Sequence, residues 1–523
     1  MNVTIEPYYR SLQGPLVILG EPGTGKTTLL HELATALCSA NESDPIPVPF
    51  GLSNWALKEQ PLAEWMVSEL RRNYGVGSEL AKSWVSREVV LPFFDGLDEV
   101  PAANRNACVK RINEYRADHP GVRFAITCRE AEYKDLDAAI DVRCIVVVRT
   151  LSRADVSTYL EGNAAKFLGL RQALHAEPAL WELMRTPLML WVGAFVFEHG
   201  PGLDLTVGKP IRDQLFERYV DIMLKRDRGQ DAQGREDPFP FPVARVWLQR
   251  TAECTTRASV FSFHLEDLSP EWLPKANQRE AIWAMRIVFG LVFGLVFGLV
   301  VGLAGGLGSG LVFGLVFWLA GNLVLEGLVG IEPDPVDAMA WSWGRGTFGL
   351  VVGLVVGLFG WLGAGLVFGL VFELVVGLVL GLVVGLSFGL VTSSVQERTS
   401  VNSGLKHSAV YAGVVGLPFL LLAPLARLMP ADLAGATTGA GVAVGLLLAL
   451  DKGGEFCIKN LTMRCVLARQ KCIPWRYEAF LRFCVERVLM IRQGGSFRFI
   501  HRMLQEHLAA RPLSTEPQDN LPT

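Results

Sequence analysis

The residues from Gly20 to Thr28 read GEPGTGKTT and follow directly on the apolar run Leu16–Leu19. This is G-x-x-x-x-G-K-[ST] after a strand and at the opening of a helix, and few short patterns constrain a fold as tightly. The segment Gly20, Glu21, Pro22, Gly23, Thr24, Gly25 curls its backbone around a polyphosphate. Lys26 brings a point charge to the β- and γ-phosphates, and the Thr27 hydroxyl ligates Mg²⁺. Thr27 and Thr28 open a helix whose positive end faces the anion. The pattern therefore predicts an α/β domain that binds ATP or ADP with Mg²⁺.

Two further stretches extend the site. Val89 to Glu99 reads VVLPFFDGLDE, an apolar strand that delivers Asp95 to its carboxyl end, where α/β sheets hold their ligands. Asp95 is placed to hold the Mg²⁺ shell with Thr27. Asp98 and Glu99 follow within one turn, and Glu99 is the candidate to polarise the attacking water. A third strand-like run, VRFAIT, ends in Cys128 and Arg129. Arg129 would set a cation beside the γ-phosphate, where it stabilises transferring charge. Lys26, Asp95, Asp98, Glu99 and Arg129 are thus the candidate catalytic residues.

Together these stretches resemble the NACHT family of P-loop NTPases, in the signal-transducing class that includes NOD-like receptors. The Asp95-Gly96-Leu97-Asp98-Glu99 signature is the specific part. Gly51 to Leu70, Leu151 to Leu160 and Arg185 to Val192 (RTPLMLWV) also look like segments of that family. The resemblance implies that Pro187 lies against adenine. The same proline also reads as a helix-start proline behind Thr186. Phe497 to Ala510 (FRFIHRMLQEHLAA) resembles the end of the family's winged-helix domain. There a histidine reaches the β-phosphate of ADP and locks a closed state, a place that His501 takes here. On its own residues, His501 reads equally as an exposed histidine at a helix start.

Composition separates the chain into unlike parts. Its 523 residues exceed one ordinary domain, and a net charge of −3 gives no basic footprint for nucleic acid. Nine cysteines without a C-x-x-C pair point to reduced thiols in a cytosolic compartment. The mean hydropathy of +0.31 comes from Ile287 to Leu450, which is almost uniformly apolar and rich in glycine. Ile287 to Leu325 carries no charge at all. As one helix it would extend about 58 Å, nearly twice a hydrocarbon core of about 30 Å. Two spans are expected there, two in Gly346 to Val391, one in Ser408 to Ala426 and one in Leu433 to Leu450. With about six spans, Arg286, Arg345, Arg398, Lys406 and Lys452 share the side of the NTPase, and only Arg427 falls opposite. The repeated Gly-Leu-Val-Phe places small residues at a spacing used in close helix packing. The same repeat also reads as an expanded anchor without special geometry. Glu373, inside the fourth span, either lines a conduit or sits neutral against a neighbouring helix.

The expected architecture is an α/β P-loop NTPase domain (1–150), a helical domain (151–230) and a linker with a pre-membrane helical segment (231–285). A polytopic α-helical membrane region (286–450), a small C-terminal winged-helix-like domain (451–511) and a tail without order (512–523) follow. Asp227 to Asp237 is expected as an exposed loop. The chain reads as a multi-pass protein of an inner or plasma membrane, with the NTPase and the C-terminus cytoplasmic. The resemblance implies an ADP/ATP switch with slow ATP hydrolysis, in bacterial defence or regulation. Its partners would be the lipid bilayer, further copies of itself when activated, and a trigger of unknown nature. The competing expectation is an ATP-driven transporter or membrane-remodelling ATPase, in which turnover is fast.

Overall fold

The computed structural model describes residues 5–305 (without 13, 39–43, 58–59, 143, 163–165, 201–202, 204–209 and 227–238), 312, 315, 338–341, 390–393, 403–421 and 449–511 (without 494). The loop expected at Asp227 to Asp237 lies outside the described residues. The described chain divides into two compact units. The first comprises residues 1–70, 79–263 and 471–523, and the second comprises 71–78 and 264–470.

The first unit is built on five strands, β1 (Leu16–Gly20), β2 (Ile46–Gly51), β3 (Val90–Asp95), β4 (Ala125–Arg129) and β5 (Cys144–Val148), in the order β2-β3-β4-β1-β5. The neighbouring strands run parallel. Continuous apolar runs suit strands covered on both faces, and β1 is buried along its whole length. The edges differ in kind. Pro47 and Pro49 fall in β2, where a missing N–H costs no ladder bond on the open side. On β5, Ile145 and Val147 stay exposed.

Helix α1 (Ile5–Ser11) and helix α2 (Lys26–Cys38) cover one face of the sheet. Tyr9, Leu30, Leu33 and Leu37 pack there on Ile18, Phe93 and Ala125. An aromatic cluster of Phe50, Trp65, Phe94 and Phe124 forms a second core, with Trp65 supplied by α3 (Leu62–Tyr74). Helices α4 (Ser78–Ser86), α5 (Ala102–Asp118) and α6 (Glu130–Lys134) complete this part. Five helices follow, α7 (Arg153–Glu161), α8 (Leu168–Ala176), α9 (Pro178–Met184), α10 (Pro187–His199) and α11 (Ile211–Lys225). Ser152 and Asp155 form a capping box that starts α7.

The C-terminal elements of the first unit do not stand alone. Helix α12 (Phe241–Arg257) and strand β6 (Ser262–His264) precede the long apolar stretch in sequence. The second unit then contributes α13 (Lys275–Gly305), β7 (Ala338–Trp341), β8 (Leu390–Ser393), α14 (Ser403–Leu421) and α15 (Glu455–Arg469). The chain returns to the first unit with α16 (Tyr477–Glu486), β9 (Met490–Gln493), β10 (Ser496–Phe499) and α17 (Arg502–Ala509). A three-stranded sheet in the order β6-β10-β9 joins segments from both sides of the insertion. Helix α12 packs on α17, where Gln505 Nε2 donates to Thr255 Oγ1 at 3.0 Å and Gln249 Nε2 donates to Arg511 O at 2.8 Å. Helix α12, which lies within 231–285, thus packs with elements from within 451–511. The apolar faces of α16, β10 and α17, with Phe480, Phe497 and Leu504 buried, are completed by α12 and Phe263. Residues 451–470 belong to the second unit.

Among the described residues no helix is long and apolar enough to cross a membrane, so the structure gives the expected polytopic region no support. Most of the six expected spans, and Glu373, lie outside the described residues. Where the fourth span was expected to end, Leu390 and Val391 belong instead to β8, paired antiparallel with β7. The β-branched Val391 and Thr392 favour that extended backbone.

Candidate functional site

All five strands of the parallel sheet end at one edge, and the register brings the motif residues together there. Gly20 lies opposite Arg129 and Val148, and Gly51 lies opposite Asp95. Strand β4 separates β1 from β3, so its last residues stand between the phosphate loop and the acidic turn.

The loop from Gly20 to Gly25 is shaped by glycine where glycine is required. Gly23 and Gly25 have φ of 78° and 93°, a left-handed backbone that side chains rarely adopt. A Cβ on Gly20 would lie 2.8 Å from Thr24 Oγ1 and 3.0 Å from Val148 O. Thr24 Oγ1 donates to Glu21 O at 2.8 Å and closes the turn around Pro22. Lys26 Nζ donates to Gly20 O and to Glu21 O, each at 2.9 Å. Burial lowers the Lys26 pKa, opposed by Asp98 and then assisted by Arg129. Thr27 and Thr28 follow it in the first turn of α2.

Thr27 Oγ1 donates to Asp95 Oδ1 at 3.0 Å, so the two expected Mg²⁺ ligands are adjacent although far apart in sequence. Asp95 is also held by Thr127, whose Oγ1 donates to the same Oδ1 at 2.7 Å and accepts from Gly96 N at 2.8 Å. One carboxylate beside one hydroxyl is a hard-oxygen set that fits Mg²⁺, which keeps several of its waters and takes the rest from phosphate.

The acidic turn separates the roles assigned to Asp98 and Glu99. Gly96 has φ of 78°, and a Cβ there would meet Glu99 Cδ at 2.7 Å. The tight turn places Glu99 close to Asp95. Burial pushes the Glu99 carboxyl up to about 8, with Asp95 and Asp98 adding to the shift and Arg502 and Arg498 opposing it. Asp98 is buried. Its Oδ2 pairs with Arg129 Nε at 2.8 Å and its Oδ1 accepts from Arg129 N at 3.2 Å. In this arrangement Asp98 anchors Arg129. Arg129, also 3.6 Å from Glu132, is correspondingly tied to the turn.

Two distant segments reach the loop. Leu188 N donates to Gly23 O at 3.3 Å, and a Cβ on Gly23 would lie 3.2 Å from Leu188 Cβ. Pro187 therefore stands directly beside the loop. It is at the same time the first residue of α10, behind Thr186, whose Oγ1 accepts from Met189 N at 3.4 Å. This geometry carries the helix-start reading of the proline. His501 is the N-cap of α17, and its Nδ1 accepts from Met503 N at 3.1 Å. With Nδ1 accepting, the ring proton belongs on Nε2, which becomes a donor. Burial, then Arg129, Lys26 and Arg498, hold this imidazole down to about 4. It is thus neutral near pH 7 and within the field of the phosphate-loop lysine. The following Arg502 Nη1 donates to Asp98 O at 3.3 Å.

The structure therefore gathers Lys26, Thr27, Asp95, Glu99, Pro187 and His501 around one loop. Sequence reasoning did not single out Thr127, His31, Arg498 or Arg502. Thr127 is the final residue of the VRFAIT run, and a polar side chain closing an apolar strand was its only local signal. The two arginines flank His501, but an arginine in an amphipathic segment carries no local mark of its target.

No curated protein matches the chain. Residues 14–166 match the NACHT domain, a family of nucleoside triphosphatases, and the α/β unit that joins Lys26 and Thr27 to Asp95 is consistent with that match. Residues 14–166 are thus similar to the NACHT domain of nucleoside triphosphatases.

Proposed function

We propose that the protein is a signal-transducing switch in which bound ADP holds the closed arrangement and exchange for ATP opens it. The observation that carries this reading is the hydrogen bond from Arg502 to the Asp98 carbonyl, made across 404 residues of sequence. It brings the C-terminal segment onto the acidic turn of the NTPase, with the His501 ring in the field of Lys26 and Arg129. A contact of this kind couples the position of the C-terminal elements to the content of the nucleotide site. Slow hydrolysis belongs to the same reading.

The test is the nucleotide content of the purified full-length protein. A switch retains ADP through purification and turns over slowly. An empty site with rapid ATP turnover overturns the switch and supports the transporter or remodelling enzyme.

We further propose that residues 286–450 meet a lipid bilayer, with self-association of the opened form as the output. Supporting this are the uncharged stretch from Ile287 to Leu325 and the distribution of Lys and Arg around the apolar runs. The expected result is recovery in the membrane pellet after carbonate washing, with cysteines placed near 235 and 515 both shielded from an impermeant reagent in intact cells. Recovery in the carbonate supernatant overturns it, and labelling of only one of the two positions breaks the six-span reading.

A further inference from the structure

Strand β10 turns Phe497 and Phe499 into the core, each 0% exposed. Side chains alternate along a strand, so Arg498 projects from the opposite face. Its charge is felt by three groups on three separate elements. They are His31 on α2, Glu99 in the acidic turn and His501 at the start of α17. His31 lies one turn after Thr27 on α2, Glu99 stands in the turn that follows Asp95, and His501 precedes Arg502, which is bonded to the same turn at Asp98 O. The Arg498 Nε is buried, and among the described residues it has no hydrogen-bond partner. A desolvated guanidinium N–H without an acceptor is costly, and its planar fork matches a carboxylate or a phosphate. Arg502 differs, because its Nη1 is engaged by Asp98 O and its Nε donates to Glu506 Oε1 at 2.9 Å.

We propose that Arg498 is a phosphate-binding residue that takes the β-phosphate of a nucleoside diphosphate together with Lys26 and His501. Arg502 is the positioning residue that keeps the start of α17 against the acidic turn. This assignment rests on the switch reading above and adds to it the group that recognises the diphosphate. The C-terminal segment then contributes a full cation to the closed site besides a neutral histidine donor. Opening withdraws that cation, so the closed arrangement favours ADP through contacts that disappear with it.

The test compares ADP with AMP, which lacks the β-phosphate, by fluorescent-nucleotide titration of the full chain. Arg498→Gln should weaken ADP binding about tenfold or more, the loss of one charge-assisted hydrogen bond, and leave AMP binding unchanged. Arg498→Lys should recover part of the loss. Unchanged ADP binding, or equal weakening of ADP and AMP, overturns the assignment. If thermal melting shows that Arg498→Gln does not fold, Arg498→Lys decides alone, and an ADP-to-AMP preference equal to wild type overturns it. Wild-type protein that binds no ADP overturns both this assignment and the switch. Tight ADP binding that is equal in wild type and variants removes Arg498 and leaves the switch standing.

Discussion

Lys26→Ala should lose binding of both ADP and ATP, with affinity reduced at least about a hundredfold. A hydrogen bond to a charged group is worth about 1.5–3 kcal/mol, and this ammonium serves two phosphates at once. The variant should nevertheless fold. The side chain is anchored on Gly20 O and Glu21 O, both in the loop, while the core around Ile18, Leu30 and Phe93 does not depend on it. Removing it also frees those two carbonyls, so the loop loses order as well as charge. Titration with a fluorescent nucleotide, beside a thermal melt, separates the two effects. Wild-type affinity in Lys26→Ala would sink the assignment of the phosphate loop.

Substitution of His501 should release the closed state without emptying the site. The imidazole has two tasks that variants can divide. Its Nδ1 caps α17 by accepting from Met503 N, and its Nε2 is left as the donor that the switch reading assigns to phosphate. Serine is a good N-cap but is too short to reach a phosphate, so His501→Ser removes only the second task. Alanine removes both and should cost about 1 kcal/mol more in stability through the lost cap. Loss of a donor to a charged phosphate shifts the closed–open balance roughly ten- to a hundredfold. ADP should dissociate faster in both variants, and native gels should show oligomers without a trigger. The oligomers should disappear when Lys26→Ala is added, because the open form must take up ATP. Unchanged ADP release in His501→Ser, with lowered stability only in His501→Ala, would make this residue a helix cap and nothing more.

Parts of this site are readable one segment at a time. Chemistry written into a local backbone shape survives in the order of residues. Gly23 and Gly25 are needed for left-handed φ, Lys26 and Thr27 follow because a helix must open there, and Asp95 closes an apolar strand. The same holds for the start of α10, where Thr186 and Pro187 announce a helix whether or not a ligand lies beside it. The partner of Asp98 is hidden for the converse reason. The role of Asp98 follows from Arg129, which arrives on another strand and pairs with it at 2.8 Å. Nothing within the DGLDE signature distinguishes the carboxylate that meets Asp95 from the one that anchors an arginine.

The amino-acid order by itself determined the phosphate loop, the acidic strand end and the α/β character of the first domain, because each depends on contacts within about one turn or one strand. Tertiary structure alone decided that β4 lies between β1 and β3, which puts Thr127 against Asp95. It also decided that α12 completes the C-terminal elements across an insertion, through Gln505 and Thr255, which stand 250 residues apart. Helix α12 carries an apolar face that fits many partners, and its sequence does not name one. The choice is made by the buried faces of α16, β10 and α17, which remain open to water until α12 and Phe263 cover them.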